Sequence, residues 1–276
     1  MPKGTRGGRR TASASASISS VSSQSSTTAA NNMNVSNAAP AASSSATQIN
    51  NINLAGQYYQ QGPVSFSKMT DNEADTIRKM YDQHYNPDTA YAVKTYISNT
   101  QNAQGYSKSQ TMNYKMDLEQ DLNKTEENML YYMENYMHPL GKDSILQRGC
   151  HADFLERYLN IKNYDKMSEA QLKSALIGKN YQNKSFESFS YDVKKNPFLS
   201  SSAVNGGGRE IEINLKAKRQ TRVLFGAKNQ TELVLGLAQR HVITNVYYKK
   251  DSNGNVMYAT PRNSGRKPIL VLEIEV

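Results

Sequence analysis

The sequence predicts an α+β fold in which helices come first and strands follow. From Thr70 to Met137 the apolar residues recur every three or four positions, as on one face of a helix. From Ser185 onward they alternate with polar residues, as in half-buried strands. Because the two patterns are segregated along the chain, an α+β arrangement is favoured over a parallel βαβ sheet.

The first 65 residues have the composition of a disordered tail. From Met1 to Gln60 there is no Asp or Glu, the only charges are basic, and Ser, Ala, Asn and Thr dominate. Such a segment buries too little apolar surface to offset its chain entropy. We therefore predict a disordered tail over 1–65 and one folded domain over 66–276, which at roughly 210 residues can bury a sizeable core.

A helical lobe is predicted over 66–140. The segment TDNEADTIRKMYDQHY begins with Thr70 and Glu73 at the spacing of a capping box, and the tripeptide NPD ends it. A second helix is predicted in TAYAVKTYI. The helical pattern between Thr111 and Met137 is interrupted near Lys124. We interpret the Met and Tyr residues of these helices as core rather than as a cofactor site.

A β core is predicted over 141–276. The sequence HPLG ends the last helix of the lobe, and a short strand then runs up to Arg148 and Gly149. Two helices follow, HADFLERYL and SEAQLKSALIG, the second with Ser168 and Gln171 as a capping box. The segments REIEINL, HVITNVYYKK and KPILVLEIEV then alternate as strands, and NGN marks a turn between the last two.

The charge distribution bears on the class of partner. The chain has a formal net charge of +9, and residues 203–276 carry 12 basic against 6 acidic residues. A basic C-terminal region is compatible with a phosphate-bearing ligand, a nucleic acid or an acidic protein. Nucleic acid is the least favoured, because no strand combines clustered aromatic and basic side chains.

Other residue types argue against several kinds of site. The single Cys150 allows no internal disulfide, and the four scattered His have no metal-ligand spacing, so no metal is expected. Cys150 and His151 are adjacent and would point to opposite faces of a strand, which makes them a poor nucleophile–base pair. No apolar run approaches the roughly 18 residues of a membrane span, and no secretory signal is recognisable, so we expect cytoplasmic synthesis.

Three short motifs lie at the ends of predicted strands: LQRG at 146–149, PFLSSS at 197–202 and QTE at 230–232. Each carries little information alone. Their order and spacing make 145–276 resemble the mono-ADP-ribosyltransferases of the Arg-Ser-Glu group, such as the clostridial exoenzymes. That family has an Arg on the first core strand, an aromatic-x-Ser-Thr-Ser strand, and a Glu-x-Glu or Gln-x-Glu sequence that opens a later strand. Here Ser201 stands in place of Thr.

The resemblance implies a site that binds NAD as a substrate. Glu232 would be the catalytic carboxylate, stabilising the oxocarbenium cation that forms as nicotinamide leaves. Arg148, followed by Gly149, would bind a phosphate of NAD through its planar set of donors. Ser200 would hold Glu232 or the nicotinamide ribose in position, and Ser202 would support the same strand from the same face.

The same resemblance bears on the acceptor. Gln230 stands where arginine-modifying members of the family carry Glu, which implies an acceptor side chain other than arginine. Phe225, in the segment LFGAKN, would be the aromatic residue that touches a protein substrate. The glycines at 206–208 resemble the family's mobile phosphate–nicotinamide loop, and Arg209 would add a phosphate contact.

Two functions of different classes follow. The first is an NAD-dependent mono-ADP-ribosyltransferase that acts on an unidentified protein. The second is a catalytically inactive protein of the same fold, such as a minor virion component. A low-complexity tail ahead of a single domain favours a phage protein that is packaged in the virion and delivered into a cell, and a bacterial effector or toxin fits as well.

Overall fold

The structure is a computed structural model that describes six stretches of the chain, 63–82, 86–98, 100–195, 208–226, 231–260 and 265–276. Most of the predicted tail lies outside these stretches. So do the proposed site residues Ser200, Ser202 and Gln230, together with Gly206 and Gly207 of the glycine loop.

In the described residues, four helices precede the first strand: α1 (Asp71–Asp82), α2 (Pro87–Tyr96), α3 (Lys108–Asp117) and α4 (Lys124–Asn135). The predicted interruption near Lys124 is confirmed, because Lys124 is the first residue of α4. Asn123 caps this helix and forms a capping box with Glu126. A further capping box, Ser107 with Gln110, begins α3, which the apolar pattern alone placed at Thr111.

Strands and two further helices make up the rest of the described chain. In order they are β1 (His138–Pro139), β2 (Ser144–Cys150), α5 (Asp153–Leu159), a 3₁₀ turn (Tyr164–Lys166), α6 (Glu169–Leu176), β3 (Asn180–Gln182), β4 (Glu187–Ser190), β5 (Ile211–Ala217), β6 (Arg222–Phe225), β7 (Glu232–Leu235), β8 (Arg240–Tyr248), β9 (Tyr258–Ala259), β10 (Lys267–Pro268) and β11 (Leu270–Glu275). The predicted α+β class is confirmed.

Nine of these strands form one sheet, in the order β1-β6-β7-β4-β2-β5-β11-β8-β3, and β9 pairs with β10 in a small second sheet. Neighbouring strands of the large sheet are antiparallel, except β5 and β11, which run parallel. The strand of Arg148 is therefore separated from the strand of Glu232 by β4 alone.

Helices cover both faces of the sheet near β7. Val234 and Leu224 pack with α2, α3 and α4 around Tyr96, Met112 and Met133. Their neighbours along the strands, such as Leu233 and Phe225, pack into the larger core that contains α1, α5 and α6. Successive strand residues point to opposite faces, and both faces are covered here, so every residue of β7 is buried. This explains why Leu233, Val234 and Leu235 form an unbroken apolar run.

Residues just before the predicted domain boundary at residue 66 already contact the folded domain. Ser65 N donates to Asp143 Oδ2 at 3.2 Å, and Arg219 Nη2 donates to the carbonyl of Pro63 at 3.4 Å. Ser67 accepts from Ile145 N at 3.0 Å. Within the described stretches, no helix is both long and apolar enough to cross a membrane.

Candidate active site

Strand β4 lies between the strand that carries Arg148 and the strand that carries Glu232. Ser190 lies opposite Glu232 in the pairing of β4 with β7, and opposite Gln147 in the pairing of β4 with β2. Arg148, the next residue on β2, contacts two side chains of β4. Its Nη1 lies 3.1 Å from Glu187 Oε1, and its guanidinium lies 5.3 Å from the centre of the Phe189 ring.

The backbone turns sharply just before Glu232. Thr231 has a φ of 52°, a left-handed conformation that is unfavourable for a β-branched residue. Its hydroxyl donates to Asp192 O at 2.9 Å and lies 2.6 Å from Ser190 Oγ, which in turn accepts from Asp192 N at 3.1 Å. This network fixes the strained residue, and with it the point at which Glu232 enters β7.

Glu232 itself is 9% exposed, and its side chain lies against the backbone of Gly226. Gly226 N donates to Glu232 O at 2.9 Å, next to the paired residues of β6 and β7. A Cβ atom at Gly226 would lie 2.6 Å from Glu232 Oε2, so only glycine leaves the carboxylate in its place.

Tyr96 on α2 lies close to the charged groups of the site. Its hydroxyl accepts from Asn113 Nδ2 at 2.8 Å and is buried beside Phe186. Burial raises the pKa of Tyr96; the Asn113 hydrogen bond and the Arg148 charge oppose that rise, whereas the carboxylates of Glu232 and Glu187 add to it. The side chains of both carboxylates and of Arg148 therefore lie within electrostatic range of one buried hydroxyl.

Arg148 and Arg209 line the same cleft, which has a volume of about 280 Å³. Helices α3 and α5 and strands β2 and β4 also contribute to its walls, and Gly149 lies beside Arg148. Arg148 Nε and Arg209 Nη1 are buried without a hydrogen-bond partner among the described residues. Burial, and then the charge of Arg148, lower the pKa of Arg209.

Two guanidinium groups that share a cleft and retain spare donors are suited to an anion. Unpaired buried donors are costly, and phosphate oxygens would satisfy them through charge-assisted hydrogen bonds. The residues therefore fit the pyrophosphate group of NAD, as the sequence implied for Arg148 and Arg209.

Phe225 does not fit its expected contact with a protein substrate. Its side chain is 4% exposed and packs between two neighbours in the larger core. The ring of His138 is stacked at 5.7 Å, and the guanidinium of Arg78 lies 5.4 Å from the ring centre. An apolar ring that follows two buried strand residues belongs to the core, so we do not assign Phe225 to the acceptor site.

The chain contains a second match to the serine motif, which the sequence alone did not single out. Phe186-Glu187-Ser188-Phe189-Ser190 also has the form aromatic-x-Ser-x-Ser, and it includes the whole of β4. The triple serine at 200–202 resembled the family motif more closely in composition. The general prediction of strands from Ser185 onward covers this segment, but the two Phe of FESFS are three positions apart, so no clear alternation marked β4. His241 and Tyr96 lie in no recognisable motif.

Cys150 also lines the cleft, yet its surroundings argue against a nucleophile. Burial raises the pKa of its thiol to about 12, so the thiolate is scarce at neutral pH. His151 next to it is paired instead with Glu210, whose Oε2 lies 3.1 Å from Nδ1. In the part of the chain that the structure describes, no group of three or more His, Cys, Asp or Glu side chains could hold a metal ion.

No protein-family model matches the chain, and no curated protein sequence matches it either. Several solved structures, by contrast, match the chain. Plx2a, an ADP-ribosyltransferase toxin from Paenibacillus larvae, matches with a TM-score of 0.52 and 14% identity over 75% of this chain and 96% of that chain. An ADP-ribosyltransferase from Clostridium botulinum matches with a TM-score of 0.51 and 14% identity over 77% of this chain and 98% of that chain.

A protein from S. aureus, C3stau2, in a crystal structure with NAD, matches with a TM-score of 0.50 and 15% identity over 78% of this chain and 99% of that chain. The three matches span nearly the whole of each of those proteins. At such low identity they establish architecture rather than activity. The described chain, with its helices, its large sheet and its small second sheet, has the ADP-ribosyltransferase fold.

Proposed function

We propose that this protein is an NAD-dependent mono-ADP-ribosyltransferase that moves ADP-ribose from NAD to a protein side chain other than arginine. The observation that carries the proposal is the arrangement of strands β2, β4 and β7. Within an ADP-ribosyltransferase fold, Arg148 on β2 and the buried Glu232 on β7 are separated by one strand, and the charges of both affect the pKa of Tyr96, which supports a shared site. Motif order supports these roles in the sequence, and the strand pairing supports them independently.

The charges of the site residues suggest a separate role for each of them. Arg148 and Arg209 would bind the pyrophosphate of NAD and align the nicotinamide ribose. The bond between nicotinamide and the ribose then breaks, and nicotinamide leaves with the bonding electrons. Glu232 would stabilise the resulting ribosyl cation, and the acceptor atom would bond to the same carbon and lose its proton. Ser190 and Thr231 would hold the carboxylate in place.

The test is release of nicotinamide from NAD by the purified protein and by Glu232→Gln. The substitution keeps the size of the side chain and removes its charge. We expect a loss of about 10²- to 10³-fold in kcat, with NAD binding nearly unchanged, because the carboxylate acts mainly in the transition state. Glu275→Gln is the matched control, since Glu275 is a strand glutamate that pairs instead with Lys216. Equal turnover by the wild type and Glu232→Gln would favour an inactive protein of the same fold.

The acceptor can be identified directly. Incubating the protein with labelled NAD and a cell lysate, followed by mass spectrometry, gives the labelled protein and residue. We expect the label on a side chain other than arginine, because Gln230 replaces Glu at the position that the family uses for arginine. Label on arginine alone would contradict this part of the proposal.

A further inference from the structure

Arg148 is the outer member of a buried row of three ionisable side chains. Glu187 on β4 is 4% exposed, and its Oε1 lies 3.1 Å from Arg148 Nη1. On the far side, Glu187 Oε2 lies 3.4 Å from His241 Nε2, and neither atom has a hydrogen-bond partner among the described residues. His241 is fully buried, and its ring stacks on that of Tyr181 with 4.7 Å between the ring centres. The row therefore runs from the cleft into the core.

The contact between Arg148 and Glu187 differs from the buried pair that Arg219 forms with Asp143. Arg219 donates to Asp143 through both Nε and Nη2, at 3.1 and 2.6 Å, so the carboxylate occupies these donors. By contrast, Arg148 Nε and Nη1 have no hydrogen-bond partner in the described part of the chain, although Nη1 lies 3.1 Å from Glu187. Glu187 thus neutralises the charge of Arg148 and leaves its donors available.

A counter-ion is needed at this point. Arg148 is only 20% exposed, and its charge is one of the causes that lower the pKa of the neighbouring Arg209. His241 adds no positive charge at neutral pH, because burial and then Arg148 lower its pKa to about 4. Without Glu187, two guanidinium groups would share a desolvated cleft, and Arg148 would be expected to turn towards water.

We propose that Glu187 is a positioning residue that holds the guanidinium of Arg148 in the cleft with its donors directed at an anionic ligand. The proposal rests on the proposed function, in that the ligand is the pyrophosphate group of NAD. Glu187 itself repels that group, so it acts through Arg148 and not by contact with the substrate.

Glu187→Gln tests the proposal by removing the charge while keeping the volume of the side chain. We expect the Kd for NAD and for ADP, measured by calorimetry, to rise at least about tenfold. In nicotinamide release, KM should rise by a similar factor while kcat changes less than about threefold, because the lost interaction is common to the ground state and the transition state. Glu187→Asp, which keeps the charge on a shorter side chain, should bind with intermediate affinity.

Asp143→Asn is the matched control. Asp143 is a fully buried carboxylate paired with an arginine, and neither Asp143 nor Arg219 lines the cleft. Both Asp143→Asn and Glu187→Gln should lower the melting temperature, but only the second should weaken binding. If Glu187→Gln binds NAD and ADP as tightly as the wild type or more tightly, Glu187 does not position Arg148.

The two binding probes separate this inference from the proposed function. If the wild type binds ADP but releases no nicotinamide, the enzymatic proposal is wrong. The role of Glu187 is then still decided by comparing the Kd for ADP of the wild type with that of Glu187→Gln. If the wild type binds neither NAD nor ADP, both proposals are wrong. Should Glu187→Gln fail to fold, Glu187→Asp carries the test: affinity at least about threefold weaker supports the proposal, and unchanged affinity overturns it.

Discussion

The carboxylate of Glu232 has a neighbour that can move it without unfolding the protein. An added Cβ at Gly226 would lie 2.6 Å from Oε2 and 2.8 Å from Cγ of Glu232. The clash falls on a flexible side chain, and Gly226 does not have a positive φ, so the backbone need not change. We expect Gly226→Ala to displace the carboxylate and to lower nicotinamide release about 10- to 100-fold, since a shift of about 1 Å can cost this much.

Gly236→Ala is the control for that prediction. Gly236 follows the opposite end of β7, and a Cβ there would lie 2.9 Å from Met137 Sδ and 3.4 Å from Gln239 Nε2, again side-chain atoms. Melting temperatures of the two variants should differ little from each other, while only Gly226→Ala loses activity. Full activity in Gly226→Ala would show that the position of Glu232 is not critical for nicotinamide release.

Residue identity alone revealed only part of the site. The sequence proposed Arg148, Arg209 and Glu232 as site residues. The structure places both arginines in one cleft, and the charges of Arg148 and Glu232 both affect the pKa of Tyr96. The approach of Glu187 on β4 to Arg148 and His241 could not be predicted, because it joins residues far apart in the sequence and no local pattern reports it. Phe225 was misassigned because a residue beside a turn can point to the core as readily as to solvent.

Helix α4 packs the helical lobe against the sheet. Met133 is fully buried among Leu224, Val234 and helices α2 and α3. We expect Met133→Ala to lower the free energy of unfolding by about 2–5 kcal/mol, from lost apolar burial and an unfilled cavity. Urea denaturation monitored by circular dichroism measures this.

Met116→Ala provides the comparison for Met133→Ala. Met116 lies on α3 in the same cluster but is only partly buried, so its truncation leaves a smaller cavity and should cost clearly less. Equal effects from the two substitutions would mean that the lobe does not pack on the sheet through α4 as described.

Helices and strands were predictable wherever a local signal marked their ends. The caps at Ser168 and Asn123 lie where the sequence has Ser or Asn three residues before Gln or Glu. Strand order was not predictable: β11 pairs in parallel with β5 and antiparallel with β8. Alternation shows which residues face the core but not which strand lies beside which.

Two buried histidines make the free energy of unfolding of the whole protein depend on pH. His138 stacks on Tyr81 with 3.5 Å between the ring centres, and His241 stacks on Tyr181. Burial is the first cause that lowers each pKa from 6.5 to about 4. Both histidines are therefore neutral in the folded protein under conditions in which they are protonated in the unfolded chain.

The sign of the effect follows from proton uptake. Between pH 6.5 and about 4 the unfolded chain binds protons that the folded protein excludes, so acidification favours unfolding. The stabilisation is complete above pH 6.5 and is lost at up to about 1.4 kcal/mol per pH unit for each histidine. Glu187 opposes part of this loss, because burial raises its pKa and the folded state then binds a proton more readily.

We therefore expect the urea concentration at the midpoint of unfolding to fall steadily from pH 7 to pH 5. In this range the carboxylates whose pKa the fold lowers, such as that of Asp143, have not yet begun to titrate. His138→Asn removes one of the two titrating rings, so its free energy of unfolding should start lower at pH 7 but fall less steeply on acidification. A midpoint that is constant between pH 7 and pH 5, or a slope that His138→Asn leaves unchanged, would contradict the burial of a neutral imidazole at this position. Because the slope reports the number of protons taken up on unfolding, it tests the packing of the whole core without reference to any ligand.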